Sequence, residues 1–160
     1  MPPHVRSLLA TTLAVSLVAC TSGDPDLRVG QARAGEPVSG ASQIVVAIDN
    51  AGTGDDELVA VDTDVAVAVE LHETTIDDGR ARMEQRDAVE LPAGETTEFR
   101  PGGLHLMMVA PDETVTQGGT FEMTLSFDRS DPTTVSVEVV DVVDLAESTE
   151  PDTEGDETDG

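Results

Sequence analysis

Hydrophobic and polar side chains alternate along much of the chain with a period of two residues. The clearest example is residues 120–128, where Phe121, Met123, Leu125 and Phe127 occupy one face and Thr, Glu and Ser occupy the other. This alternation is typical of a strand with one buried face. Comparable segments, each bounded by turn-forming residues, predict further strands at residues 42–49, 57–62, 65–71, 80–86, 96–100, 104–110 and 133–143. Seven or more short strands, with no convincing amphipathic helix, predict an all-β, antiparallel β-sandwich.

Four side chains within this pattern are soft, uncharged metal ligands. His72 follows a Val-rich strand, Met83 lies beyond an Asp-Gly turn, and His105 and Met107 lie together in a later strand. Imidazole and thioether groups favour Cu(I) over hard divalent ions, and methionine argues against zinc. Because Asp-Gly is a strong hairpin signal, the chain after the turn is expected to return Met83 towards His72. Met83 has charged neighbours, which weakens the alternative that it fills a gap in the core.

Strand parity divides the residues around the second pair of ligands. Alternate side chains of a strand share a face, so His105 and Met107 are expected on one side and Leu106 and Met108 on the other, in the core. His72 is expected at a strand end near the rim of the domain, where solvent reaches it. A lone His105 is more commonly a hydrogen-bonded structural residue, so the metal hypothesis depends on the four residues together.

Composition excludes several classes of function. The formal net charge is −25, and all eight basic residues are arginine. Such a chain repels nucleic acid and anionic lipid headgroups, so we expect no nucleic-acid partner. Cys20 is the single cysteine, which excludes an intramolecular disulfide. A blue-copper site within the domain is also excluded, because such sites need a thiolate beside two histidines.

The N-terminal residues resemble an export signal of the lipoprotein type. A short basic start and an apolar run too short to span a bilayer are followed by Leu17-Val18-Ala19-Cys20, which resembles a bacterial lipobox. This implies removal of residues 1–19, lipid attachment at Cys20, and anchoring to the outer face of the cytoplasmic membrane. The alternative is an ordinary signal peptide with a chance cysteine. Residues 20–39 are polar and rich in Gly, Pro and Asp, and we predict a flexible tether there.

The C-terminal end has a strongly biased composition. Residues 145–160 are mostly Glu, Asp, Thr, Ser, Gly and Pro, and contain no basic residue. Such a segment is predicted to be disordered and to act as a solubility tail. It has neither His nor Met, so no second copper site is predicted there. These boundaries leave residues 40–144 as the folded domain.

The ligand spacing resembles a known signature. His72, Met83, His105 and Met107 form the pattern H-x10-M-x21-H-x-M, which is that of the periplasmic copper chaperones of the PCu(A)C type. The resemblance covers about residues 34–143 and includes the run LPAGETTEFRPGGLHLMM. It implies a cupredoxin-like Greek-key sandwich that binds Cu(I) through these four residues. Two departures concern the surroundings of the site: the family usually has Tyr-Met where this chain has Val45-Val46, and commonly Met where it has Thr74.

The resemblance implies a monomeric metallochaperone that passes Cu(I) by ligand exchange to a copper-accepting protein. For the family that acceptor is the copper centre of cytochrome c oxidase, and another copper chaperone is a further possibility. Copper scavenging for tolerance would use the same four ligands, so it stays open. A metal-free interaction module on the same fold is a third hypothesis. An enzyme is the weakest, because no nucleophile is paired with a base and no residue is predicted to be catalytic.

Overall fold

A computed structural model describes residues 23–147 of the chain. This part is built of strands, followed by one short helix, α1, at Val142–Glu147. The strands are β1 (Leu27–Val29), β2 (Ala32–Gly35), β3 (Ala41–Asn50), β4 (Asp56–Asp62), β5 (Ala66–Asp77), β6 (Arg80–Gln85), β7 (Val89–Leu91), β8 (Thr96–Phe99), β9 (Leu104–Pro111), β10 (Thr120–Phe127) and β11 (Thr133–Val140). No helix among the described residues is both long and apolar enough to cross a bilayer.

The strands close into a barrel-like sheet. Their order is β6-β5-β9-β3-β2-β11-β10-β4-β7, and β4 also pairs with β5 through Val61 and Val69, which completes the ring. β1 and β8 add to the far half of β3. Among the strand pairs of the described region, only β2 with β11 is parallel. The predicted all-β Greek-key class is thus confirmed, with one parallel pair in an otherwise antiparallel sheet.

Strand parity correctly predicted which side chains form the core. Phe121, Met123, Leu125 and Phe127 are all buried in β10, and so are Leu106 and Met108 in β9. They join one cluster of buried residues drawn from strands all around the ring. Because alternate residues face outward, the opposite face of β5 and β9 is free to carry polar groups.

The Asp-Gly turn has the conformation that its sequence predicts. Asp78 and Gly79 both have positive φ, 47° and 74°, as a two-residue type I′ turn requires. The turn joins β5 to β6 with Asp77 opposite Arg80. This register determines which residue of β5 lies beside each residue of β6, including Met83.

The tether predicted for residues 20–39 is wrong from Leu27 onward. β1 pairs with β3, and β2 lies between β3 and β11 with Ala32 and Ala34 fully buried. The segment has few large apolar residues: Leu27 and Val29 pack against the core from β1, and the neighbouring strands accept the small side chains of β2 within a close-packed core. Strand β7 was also not predicted, because three residues are too few to show alternation.

The chain end departs from its predicted boundaries as well. The final strand stops at Val140, because the Asp141 side chain accepts a hydrogen bond from the Val143 backbone N–H at 2.8 Å and caps α1. Leu145 of this helix is buried against Gly35, so the fold extends past residue 144. The predicted signal peptide at residues 1–19, lipidation at Cys20 and the tail beyond residue 147 lie outside the described residues.

Candidate metal centre

The two predicted histidine ligands face each other across adjacent strands. His72 of β5 and His105 of β9 are direct partners in the antiparallel register. Their ring centres are 5.7 Å apart and the ring planes meet at 66°. Directly opposite residues of an antiparallel pair share one face of the sheet. Residues that are 33 positions apart in sequence are therefore brought together by strand pairing.

Each ring uses one nitrogen in a hydrogen bond that orients it. The Nδ1 of His105 lies 3.0 Å from the carbonyl oxygen of Gly103. The Nε2 of His72 lies 2.9 Å from Oε2 of Glu70. A carbonyl or carboxylate oxygen accepts hydrogen bonds, so in each case the histidine nitrogen carries the proton and donates it. When the ring is neutral, its other nitrogen has a free lone pair.

Those two remaining nitrogens are buried and have no hydrogen-bond partner among residues 23–147. They are Nδ1 of His72 and Nε2 of His105. A buried polar atom without a partner normally costs free energy, so such atoms indicate a missing ligand or a functional demand. An imidazole nitrogen binds a transition metal at about 2 Å, so two rings sharing one ion have centres no more than about 6 Å apart. The observed separation of 5.7 Å satisfies this condition.

The two predicted methionine ligands lie on the same face as the histidines. Met107 is two residues after His105 in β9 and is partly buried. Met83 lies in β6 opposite Thr74, which is two residues after His72. Met83 and Met107 are each diagonal neighbours of His72 across a strand pair, a position about 7–8 Å away that long side chains can reach. The register thus places both methionines on the histidine face, each diagonal to His72.

The two histidines are buried more deeply than expected for a site at the rim of the domain. His72 lies within β5, which continues for five residues beyond it to Asp77. Its side chain is 16% exposed, and His105 is fully buried. Met83, in contrast, is 50% exposed on the outermost strand β6. Burial of the histidines follows from their position inside the sheet, and the thioether of Met83 is the part of the set that faces solvent.

Sequence reasoning did not identify Glu70 and Gly103, the residues that orient the two rings. Each lies two positions before the histidine that it contacts. In a strand this spacing places the Glu70 side chain on the same face as His72, which is a signal that a reader of the sequence could use. Gly103 acts through its backbone carbonyl, which also accepts the Thr74 N–H at 3.0 Å, and a backbone contact has no signature in residue type.

Carboxylates do not assemble into a second candidate. Within residues 23–147, no group of three or more His, Cys, Asp and Glu side chains is arranged to hold a metal ion. Most acidic residues of this region are instead at least partly exposed, and Asp56 is buried. The candidate donors are therefore the two imidazoles and the thioethers of the two methionines diagonal to His72, a combination that would suit a soft monovalent ion.

Comparison with known proteins identifies relatives of this chain by sequence. The family model "Putative lipoprotein LpqE-like" matches residues 26–139. A curated protein of Leifsonia xyli subsp. xyli (strain CTCB07), "Putative lipoprotein Lxx21020", is 27% identical over 156 residues, covering 88% of this chain and 94% of that protein.

Solved structures of similar fold carry copper-related descriptions. The copper-bound PCuAC domain from PmoF2 superposes with a TM-score of 0.61 at 22% identity, covering 72% of this chain and 92% of that one. The solution structure of CuI-DR1885 from Deinococcus radiodurans gives a TM-score of 0.59 at 21% identity, covering 71% and 77%. The resemblance to PCu(A)C domains inferred from the ligand spacing is thus confirmed in the fold. Because the family model matches residues 26–139, the chain belongs to the LpqE-like family, and its fold is that of the PCuAC domains.

Proposed function

We propose that this protein is an extracytoplasmic metallochaperone that binds one Cu(I) ion through His72, Met83, His105 and Met107. The observation that carries the proposal is the pair of buried, unpartnered ring nitrogens, Nδ1 of His72 and Nε2 of His105. A shared ion would satisfy both lone pairs at once. The copper-bound description of a domain with the same fold supports copper as the ion.

The chemistry of this donor set suits carriage of Cu(I). Two neutral imidazoles and two thioethers place no negative charge on the ion, which favours the monovalent soft state. The ligands also differ in depth, from fully buried His105 to half-exposed Met83. An incoming thiolate or thioether would therefore replace Met83 first, while the histidines still hold the ion. Both histidines of the domain serve the ion in this proposal, which leaves no histidine as a general base and agrees with a protein that is not an enzyme.

The test is a competition titration of the purified full-length chain with Cu(I) and a chromophoric chelator. Wild type is expected to bind one ion, and replacing His72, Met83, His105 or Met107 by Ala is expected to weaken or abolish that binding. Met108→Leu is the matched control, because it removes the buried thioether next to Met107 with little change of volume. Full affinity in the His72→Ala or Met83→Ala variant would contradict the four-ligand site.

We further propose that the protein is anchored by lipid on Cys20 after export. The lipoprotein descriptions of the matching family and of the Leifsonia xyli relative support this. Several acyl chains on one residue suffice for stable attachment to a bilayer. Cys20→Ala is expected to move the protein from the membrane fraction to the soluble extracytoplasmic fraction. Unchanged fractionation of that variant would contradict the anchor.

For the acceptor, we propose the copper centre of cytochrome c oxidase, following the family resemblance. Sequestration for copper tolerance uses the same four residues and is the second candidate. Deleting the gene distinguishes them. Loss of assembled oxidase that is restored by added copper supports delivery. Normal oxidase together with copper sensitivity supports sequestration instead.

A further inference from the structure

The two histidines of the site are oriented by groups of different kinds. His105 donates to the Gly103 carbonyl, which also accepts the backbone N–H of Thr74 just beyond the last residue pair of the β5–β9 ladder. His72 donates to a side chain, the carboxylate of Glu70. The orientation of His105 is therefore a property of the sheet. The orientation of His72 depends on one residue that can be replaced.

Glu70 is placed to act on the site. It lies two residues before His72 in β5, on the same face, and is the direct cross-strand partner of Met107. Its Oε2 is 2.9 Å from Nε2 of His72. The hydrogen-bond partner that the structure gives this carboxylate is His72, whereas Glu73 and Glu84 pair with arginines. Glu70 thus contacts a proposed ligand where neighbouring acids of the hairpin form surface ion pairs.

We propose that Glu70 is a positioning residue: it holds His72 as the tautomer protonated on Nε2, so that the lone pair on Nδ1 faces the ion. The copper part of this inference rests on the proposed function. Without the carboxylate, either ring nitrogen can carry the proton, and the ring can turn so that Nε2 faces the ion instead of Nδ1. Hydrogen bonds to the remote nitrogen of a ligating histidine determine its tautomer and ring orientation in metal sites generally.

The chain supplies a matched control for this residue. Glu73 is in the same strand, three positions away on the opposite face, and its side chain is 35% exposed, as is that of Glu70. Glu73 pairs with Arg86 rather than with a histidine. Replacing either acid removes one negative charge from the same strand, so an effect seen in Glu70→Ala and absent in Glu73→Ala cannot come from the loss of charge alone.

The first measurement needs no copper. Long-range ¹H–¹⁵N correlation spectra of the apo, full-length chain at neutral pH report which nitrogen of His72 carries the proton. Wild type, Glu73→Ala and Glu70→Gln are expected to show the Nε2–H form, because the glutamine carbonyl oxygen also accepts a hydrogen bond. Glu70→Ala is expected to show a mixture of both forms. An unchanged tautomer in folded Glu70→Ala would overturn the proposal.

The second measurement is Cu(I) affinity by competition. Glu70→Ala is expected to bind about 10- to 100-fold more weakly than wild type, the range found for loss of outer-shell partners of metal ligands. Glu70→Gln is expected to restore most of that affinity, and Glu73→Ala to retain it. Equal losses in Glu70→Gln and Glu70→Ala would assign the effect to charge and overturn positioning. If wild type binds no Cu(I), the proposed function fails, and the apo spectra still decide whether Glu70 positions His72.

Discussion

Two clusters of buried polar residues in the described part of the barrel differ in how many of their polar atoms are hydrogen-bonded. Around Asn50, both amide donors and the amide oxygen are used: Nδ2 donates to the carbonyls of Gly54 and Leu91, and Oδ1 accepts from the N–H groups of Asp26 and Gly52. Around His72 and His105, two buried nitrogens have no hydrogen-bond partner in the part of the chain that the structure describes. The fully satisfied cluster holds loops together, and the unsatisfied one is available to a ligand.

Asp56 is another buried polar residue whose hydrogen bonds are satisfied. Its carboxylate accepts four hydrogen bonds, from the backbone N–H groups of Glu57, Arg129 and Ser130 and from the Ser130 hydroxyl. Burial by itself raises the pKa of the Asp56 carboxyl, but the Ser130 hydroxyl and the three backbone donors outweigh it, so the pKa lies below its ordinary value. The comparison shows that this chain can satisfy buried polar groups thoroughly. The unpaired nitrogens of the histidine pair are therefore a specific exception.

The largest expected effect separates binding from stability at His105. His105→Leu is expected to abolish Cu(I) binding in the competition titration. In the absence of metal, its free energy of unfolding is expected to be unchanged or about 1–2 kcal/mol higher, because an unpaired buried nitrogen is removed. The Gly103 carbonyl keeps its bond from Thr74. Destabilisation by more than about 2 kcal/mol in urea unfolding would show that the pair is structural.

The satisfied cluster is expected to behave in the opposite way. Asn50→Ala removes four hydrogen bonds and leaves buried backbone groups unpaired, so we expect the free energy of unfolding to fall by about 3–4 kcal/mol. Cu(I) affinity is expected to stay as in wild type at temperatures where the variant is folded. Weaker copper binding by the folded variant would show that the two clusters are coupled.

The pH dependence of the free energy of unfolding is expected to include a contribution from the Asp56 carboxyl. Its pKa is lowered in the folded state relative to the ordinary 3.8, so the ionised carboxylate stabilises the fold at pH values above 3.8. That contribution is lost as the pH falls from this value through the lower folded pKa. Asp56→Asn is expected to be about 2–3 kcal/mol less stable at neutral pH.

Urea unfolding of wild type and Asp56→Asn between pH 7 and pH 3 measures this contribution directly. The other acids titrate in both proteins, so the difference in free energy of unfolding between wild type and Asp56→Asn isolates the contribution of the Asp56 carboxyl. That difference is expected to narrow only at the acid end of the range. If the difference in free energy of unfolding stays constant down to pH 3, the lower stability of Asp56→Asn comes from packing or geometry at position 56 and not from the charge.

The smallest expected effect concerns the exposed edge of the site. Met83→Ala is expected to weaken Cu(I) binding about tenfold, which is about 1.4 kcal/mol, because the histidines and Met107 still hold the ion. Stability is expected to change by less than about 0.5 kcal/mol, since the side chain is half exposed. Release of Cu(I) to a competing thiol is expected to be faster than in wild type, as measured by stopped-flow absorbance. Slower release would contradict the order of ligand exchange proposed above.

Much of the fold could be predicted because burial follows the residue pattern directly. The alternation in β10, the Asp-Gly turn and the parity that separates Met107 from Met108 are all local properties of the chain. β1, β2 and α1 escaped prediction because their residues are small, few or polar. Ala32 and Ala34 are buried by the strands on either side, and Asp141 ends a strand that the Val-rich sequence alone would continue.

By itself the sequence determined the type of the candidate donors, their number and the strand faces on which they are predicted to lie. It also determined that no cysteine thiolate is present in the domain. Only the tertiary structure decided that His72 and His105 are direct partners, that both are buried, and that Glu70 orients one ring while a backbone carbonyl orients the other. The physical reason is that side-chain chemistry and strand period are local, whereas register between β5 and β9 depends on the closing of the whole sheet. The two histidine nitrogens that indicate a ligand become buried beside each other only when β5 and β9 pair in this register.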